Sequence, residues 1–354
     1  MELISPIDGD MLHARDGIMD GDTLRVMVKV AAEAGSRIMV NGVEAGYAGE
    51  YYGAEVILDA YENKLRVWNE DTGEEVTAIV YRLKNFAGGY RLSIDDNIWF
   101  LRDIHQHAGE YRSIFDNSYL AFLRGVHEKY GTKVHINLFY QTDNFNLAQL
   151  SDVFREEWKA QAGWLRLSFH ALQEFPDMPY RTAGYETVKR DCDLVMGEIE
   201  RWAGKELMAS VTTLHWGEAT VEGSRALRDA GYRGQLGYFN VDDDLPAVSY
   251  YLTTEQRRHI KQRFVWKDNK EDIVFIRSSI VIDKTFLPDI RPHLDGYRRR
   301  GGLPPFVDLL VHEQYYYPFY EAYQPDFKER ILAAVQWAQD NGYKPQFLSE
   351  SIFE

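Results

Sequence analysis

A chain of 354 residues, 45% of them apolar, is long enough to bury one full core and to leave room for a second. Lysine and arginine total 40 against 55 for aspartate and glutamate, and the formal net charge of -15 has the wrong sign for gripping phosphates, which argues against nucleic acid as a partner. The single cysteine, Cys192, excludes an internal disulfide and a cysteine-rich metal cluster, and it reads as a small buried hydrophobe.

The N-terminal stretch MELISPIDGDMLHARDG carries neither a basic segment followed by an apolar run nor a small-residue cleavage site. No apolar stretch approaches the ~20 residues of a membrane span. The expectation is a soluble, cytoplasmic chain, although a secreted protein trimmed of its leader would read the same; the oligomeric state stays open.

From the start of the chain the pattern is period two. Leu24, Val26, Val28 and Val30 alternate with Arg25, Met27 and Lys29, and RIMVNGVEA then places the two-residue turn Asn41-Gly42 between apolar flanks. AEVILDAY, NKLRVWN and EEVTAIVYRL follow, the last two joined by the turn Asp71-Thr72-Gly73. Short strands without a helical stretch predict a small all-β, Ig-like sandwich over residues 1 to 84, with Lys84–Gly89 as linker.

Beyond residue 85 the character changes, and strands alternate with amphipathic helices. Candidate strands are RLSI, VHINLFY (134 to 140), WLRLSF (164 to 169), LMASVTTL (207 to 214), QLGYF (235 to 239), DIVFIRSSIVI (272 to 282), FVDLLV (306 to 311) and QFL (346 to 348). Val188, Cys192, Val195, Ile199 and Trp202 share one helical face before Gly204, and Phe327, Ile331, Val335 and Ala338 share another before Gly342. The alternation predicts an α/β domain over residues 85 to 354, its strand count and length close to the roughly eight strands and ~250 residues of a (β/α) barrel. A doubly wound open sheet stays an alternative, and in both the chemistry belongs at the C-terminal ends of the strands.

Several strands end there in the same kinds of residue. YRLSIDDNIW runs into Asp95 and Asp96, His170 follows WLRLSF, His215 follows ASVTTL, and His312 with Glu313 follows FVDLLV. A lone histidine at a strand end is usually structural, and paired aspartates after a strand are often a loop or a helix cap. Their joint placement on one face is what points to a site built for metal ligation and proton transfer.

On these residues the region from about 88 to 353 resembles the polysaccharide deacetylases, the chitin and peptidoglycan deacetylase group of carbohydrate esterases. The family's Thr-Phe-Asp-Asp motif reads here as Ser93-Ile94-Asp95-Asp96, which implies Asp95 as catalytic base and Asp96 as metal ligand. Its paired histidines four residues apart become His170 and Glu174, so Glu174 is the implied further ligand; oxygen in place of nitrogen shifts preference toward harder metals. The Arg-Pro-Pro-Tyr-Gly motif aligns with Thr213-Leu-His-Trp-Gly-Glu218, where the arginine is missing and His215 stands in the loop, leaving open whether Glu174 or His215 completes the ligand set. Leu310-Val311-His312 matches the family's Leu-x-His and implies His312 as general acid, Asp283 in SIVIDKT is the candidate for the aspartate that orients the base, and ERILAAVQWAQDNGYKPQFL is similar to the closing helix and strand.

The resemblance implies a metal-dependent hydrolase, with a divalent metal, Zn²⁺ by first choice, removing an acyl group from an N-acylated sugar or a related amide. His215, Trp216 and Tyr315 are the expected substrate contacts, since aromatic faces stack on sugar rings. Two alternatives remain: a catalytically altered protein that binds carbohydrate without turnover, and a metal-dependent hydrolase of a non-sugar amide remodelled around His215 and Glu218. Other features carry blander expectations. Asp103-Ile-His105-Gln-His107 reads as a solvent-exposed loop, Arg91 and His135 as packing or a structural hydrogen bond, and Tyr297-Arg-Arg-Arg300 as a solvated basic run.

Overall fold

The computed structural model describes residues 1–242, 244–299 and 302–353, so Arg300 of the basic run lies outside the described residues. The chain divides into two compact units.

The first unit comprises Met1–Ala87 together with Val265–Asp272 and Glu350–Glu354. Its alternating sequence becomes alternating burial: in the strand Thr23–Ala31, Leu24, Val26, Val28 and Val30 face inward and Met27 faces out. That strand pairs antiparallel with Tyr52–Leu58 and Glu2–Ser5. In a second sheet Glu62–Asn69 lies between Glu75–Arg82 and Ile38–Val40, again antiparallel. Asn41 (φ 49°) and Gly42 (φ 84°) both take left-handed backbone, the geometry a two-residue hairpin turn requires. Val26, Val28, Val56, Leu65, Val67 and Val80 belong to one apolar cluster, so the two sheets enclose a common core.

The second unit comprises Gly88–Phe264 and Ile273–Ser349 and mixes helices with parallel strands. One sheet runs in the order Leu165–Ala171, Val134–Phe139, Gly89–Asn97, Phe306–His312, Ile280–Val281, every neighbour parallel. A second set, Val211–Thr212, Gly234–Gly237 and Ile273–Arg277, is also parallel. The sets meet where Ala209 N–H donates to the Leu167 carbonyl at 2.9 Å, and again where Ser278 N–H reaches the Gly237 carbonyl and Ser279 N–H the Asp308 carbonyl, each at 3.0 Å. All nine residues of Gly89–Asn97 and all six of Val134–Phe139 are buried, as strands covered on both faces must be.

The helix Tyr185–Trp202 buries Val188, Cys192, Val195, Ile199 and Trp202, and Phe327–Asp340 buries Phe327, Ile331, Val335 and Ala338. Three strands differ from their sequence patterns. Residues 207–214 yield only Val211–Thr212, because Lys205–Leu207 forms a tight helical turn. The run 272–282 breaks at Ser278 and Ser279, whose amides turn to different strands. Near the end the strand is Lys344–Pro345, and Leu348 already opens a helix. Among the described residues no helix is long and apolar enough to cross a membrane.

Candidate metal centre

In a regular strand, neighbouring side chains point to opposite faces, so Asp95 and Asp96 could not share a site. The strand Gly89–Asn97 breaks its register against Val134–Phe139 between Ile94 and Asn97, and Asp96 takes φ 62°. Aspartate is among the few residues that tolerate this backbone. The break lets both carboxylates line the same cavity of about 880 Å³.

Asp96 Oδ1 lies 2.9 Å from His170 Nε2 and 3.1 Å from His215 Nδ1, and the two imidazole nitrogens are 3.1 Å apart. The outer nitrogen of each ring is already committed. His170 Nδ1–H donates to the Thr213 carbonyl, and His215 Nε2–H donates to the Glu174 carbonyl at 3.0 Å. A neutral imidazole carries one N–H, so the inner nitrogens present lone pairs to each other and to a carboxylate oxygen. A proton or a cation has to lie among them. Ligands at ~2.0–2.1 Å from a tetrahedral ion sit about 3.3 Å apart, a few tenths of an ångström wider than these three atoms. The donor set, spacing and backbone-fixed tautomers therefore fit a divalent metal.

Burial pushes the Asp96 carboxyl upward, but the adjacent His170 and His215 rings outweigh it and hold the group well below the usual carboxylate range. Gln314 donates to its other oxygen at 2.7 Å. Burial lowers His170, and Asp95 and Asp96 more than reverse that.

Asp95 and His312 complete the arrangement. Burial raises the Asp95 carboxyl to about 6 against the pull of His170 and His312, and Asn137 donates to its Oδ1 at 2.6 Å. His312 faces Asp283, which takes the ring Nδ1–H at 3.0 Å and the backbone N–H at 3.0 Å. Burial opposes charging this ring, yet Asp283, followed by Asp96 and Asp95, raises it to about 10.

Other expected residues fall in different places. Glu174 is absent from the three-residue ligand cluster; it supplies its backbone carbonyl to His215, and its carboxyl, raised by burial and by Asp96, lines the cavity wall. Asp283 contacts His312, whereas Asn137 holds Asp95. Glu313, fully buried, accepts from the amides of Ile98, Trp99 and Phe100 and so caps the helix Trp99–Gln106. Trp216 and Tyr315 line the cavity, the latter taking a hydrogen bond and a cation–π contact from Lys284. His105 and His107 lie on and after that same helix, outside the ligand cluster. A second cavity of about 990 Å³ shares Asp96, Glu174, Phe175 and Gln314 with the first and is lined by Gln141 and Gln173.

No protein-family profile matches the chain, and no curated protein does. Among solved structures, a candidate polysaccharide deacetylase of Mycobacterium smegmatis is similar at 11% identity over 75% of this chain and 88% of that one, with a TM-score of 0.45. A β-glucuronidase of Ruminococcus gnavus, solved with uronic isofagomine, is 12% identical over 84% of this chain and 61% of that one, with a TM-score of 0.23. Overlaps this loose leave function to the side chains.

Proposed function

We propose that this chain is a metal-dependent hydrolase of the polysaccharide deacetylase type, carried on a (β/α) barrel and accompanied by an Ig-like accessory unit, that removes an acyl group from an N-acylated sugar or related amide. The convergence of Asp96, His170 and His215 on one point, with Asp95 and His312 lining the same cavity, carries the reading. His215 takes the ligand position that Glu174 would have filled.

A bound divalent ion, Zn²⁺ by preference for this nitrogen and oxygen set, supplies carbonyl polarisation and a more acidic water. Asp95, buried and held by Asn137, accepts the proton of the attacking water. The carbonyl carbon gains the C–O bond as the C–N bond breaks, and His312, kept protonated by Asp283, gives its proton to the departing nitrogen. The products are a carboxylate and an amine. Trp216 and Tyr315 offer flat faces on which a sugar ring can stack.

Metal content measured on wild type, His170→Ala and His215→Ala tests this. Wild type is expected to hold about one divalent ion per chain, as a single three-ligand site would, and each variant to lose it. An empty wild type that also ignores added Zn²⁺ would overturn the proposal, and a His215→Ala protein that keeps its metal would return the third position to Glu174.

A further inference from the structure

A buried file of hydrogen bonds ends on Asp95. It begins at Arg91, whose Nε donates to Asp308 at 2.6 Å and whose Nη1 donates to His135 Nδ1. His135 Nε2 lies 2.8 Å from Ser168 Oγ, Ser168 donates to Asn137 Oδ1, and Asn137 Nδ2 donates to Asp95 Oδ1 at 2.6 Å. Arg91, His135, Ser168, Asn137 and Asp95 are all buried, on three adjacent parallel strands.

The sense of every link follows from the first. A guanidinium only donates, so His135 Nδ1 must accept and its single proton sits on Nε2. Ser168 accepts that proton's hydrogen bond and has its own hydroxyl hydrogen left for Asn137 Oδ1. The amide is thereby turned with its NH₂ toward Asp95. The Thr213 backbone N–H, 3.3 Å from the same Oδ1, independently fixes this orientation. Burial and the adjacent Arg91 hold His135 well below its ordinary range, so the ring stays neutral. Reversing any link would set two acceptors or two donors against each other where no water can intervene.

We propose that Arg91, His135, Ser168 and Asn137 form a relay of fixed polarity that aims the Asp95 carboxylate, occupying Oδ1 and leaving Oδ2 to take the proton from water. They are positioning residues, and the kinetic half of this inference rests on Asp95 being the base. The relay joins a cation on one strand to the base through neutral groups alone, so the orientation reaches Asp95 without placing a second charge beside the metal ligands.

Two measurements test it. In ¹⁵N NMR, His135 is expected as the neutral Nε2–H tautomer from about pH 5 to 9, and Ser168→Ala is expected to shift both that Nε2–H and the Asn137 side-chain amide. An Nδ1–H tautomer or an imidazolium overturns the polarity, whatever the protein's activity. The second measurement uses p-nitrophenyl acetate with the metal-loaded protein, because its leaving group needs no proton and His312 drops out of the comparison. Ser168→Ala should lower kcat about tenfold or more with KM and metal content unchanged, Ser168→Thr should recover it, and Ser168→Ala should cost nothing further in an Asp95→Asn background. Equal losses in both backgrounds would make the serine merely structural. A wild type without hydrolysis or metal would sink the hydrolase reading while the NMR result still decides the relay.

Discussion

The ion pair between His312 and Asp283 makes a pH prediction with a definite sign. The ring is raised to about 10 although it is buried, because Asp283 faces its Nδ1–H. A histidine raised in the folded state adds stability that is fully present below its unfolded value of ~6.5 and is lost as pH climbs through about 10. In the proposed mechanism this proton is the one given to the leaving group, so activity is expected to fall on the alkaline side near that value. Asp283→Asn should bring the alkaline limb of the pH–rate profile down toward ~6.5 and lower kcat by ~10- to 100-fold. A limb that stays in place would mean that Asp283 does not set the charge of His312. Asp95, Asp96, His170 and His312 stand out in the sequence because each closes a strand, and the structure lines one cavity with all four. His215 and Glu174 could not be ranked there: sequence spacing favours residue 174, yet its side chain stays outside the cluster while a histidine from another strand end enters it. Asn137 went unnoticed, although His135 and Asn137 are two polar residues at period-two spacing in the otherwise apolar VHINLF, which was the available signal.

At the scale of the element, the strand Gly89–Asn97 matters through its irregular end. In the proposed site Asp96 is a ligand, and it also occupies left-handed backbone, so substitutions can separate the two roles. Asparagine accepts that backbone but lacks the charge; valine, β-branched, lacks the oxygen and strains the chain by ~1–3 kcal/mol. Asp96→Asn is therefore expected to lose bound metal yet melt, compared metal-free with metal-free, close to wild type. Asp96→Val should lose the metal and melt several degrees lower. Equal melting of the two variants would show that φ 62° at this residue is incidental. Long elements of this unit were legible because burial enforces their period over many residues, as in Tyr185–Trp202. Val211–Thr212 and Ile280–Val281 were blurred into longer runs because a two-residue strand has no period, and only its tertiary partners define it.

At the scale of the whole molecule, the first unit is assembled from distant parts of the sequence. In the sequence the change from period two to alternating strand and helix marks a boundary near residue 84, whereas the first unit of the structure combines Met1–Ala87 with Val265–Asp272 and Glu350–Glu354. The eight residues Val265–Asp272 gave no such mark, because nothing local in them names partners 188 to 258 residues away. Their attachment is specific. Trp266 Nε1–H donates to the Asp8 carbonyl at 2.9 Å, Lys267 N–H to the Gly9 carbonyl at 2.9 Å, and the Tyr81 hydroxyl to Asn269 at 2.7 Å. Gly9 makes the close approach possible: it has φ 83°, and a Cβ there would lie 1.9 Å from the Lys267 carbonyl oxygen. Gly9→Ala must therefore displace backbone on one side or the other, which predicts a loss of ~2–4 kcal/mol. Its expected signature is an earlier unfolding transition in calorimetry and a quenching change at Trp266, whose side chain is 8% exposed in the native fold. Deleting residues 1–87 goes further, stripping Val265–Asp272 of these partners while it stays tethered inside the other unit's chain. That protein is expected to aggregate or to melt at least about 10 °C lower, given the ~150–250 Å² a buried tryptophan covers. Unchanged melting in both proteins would mean that the segment is docked without holding anything in place.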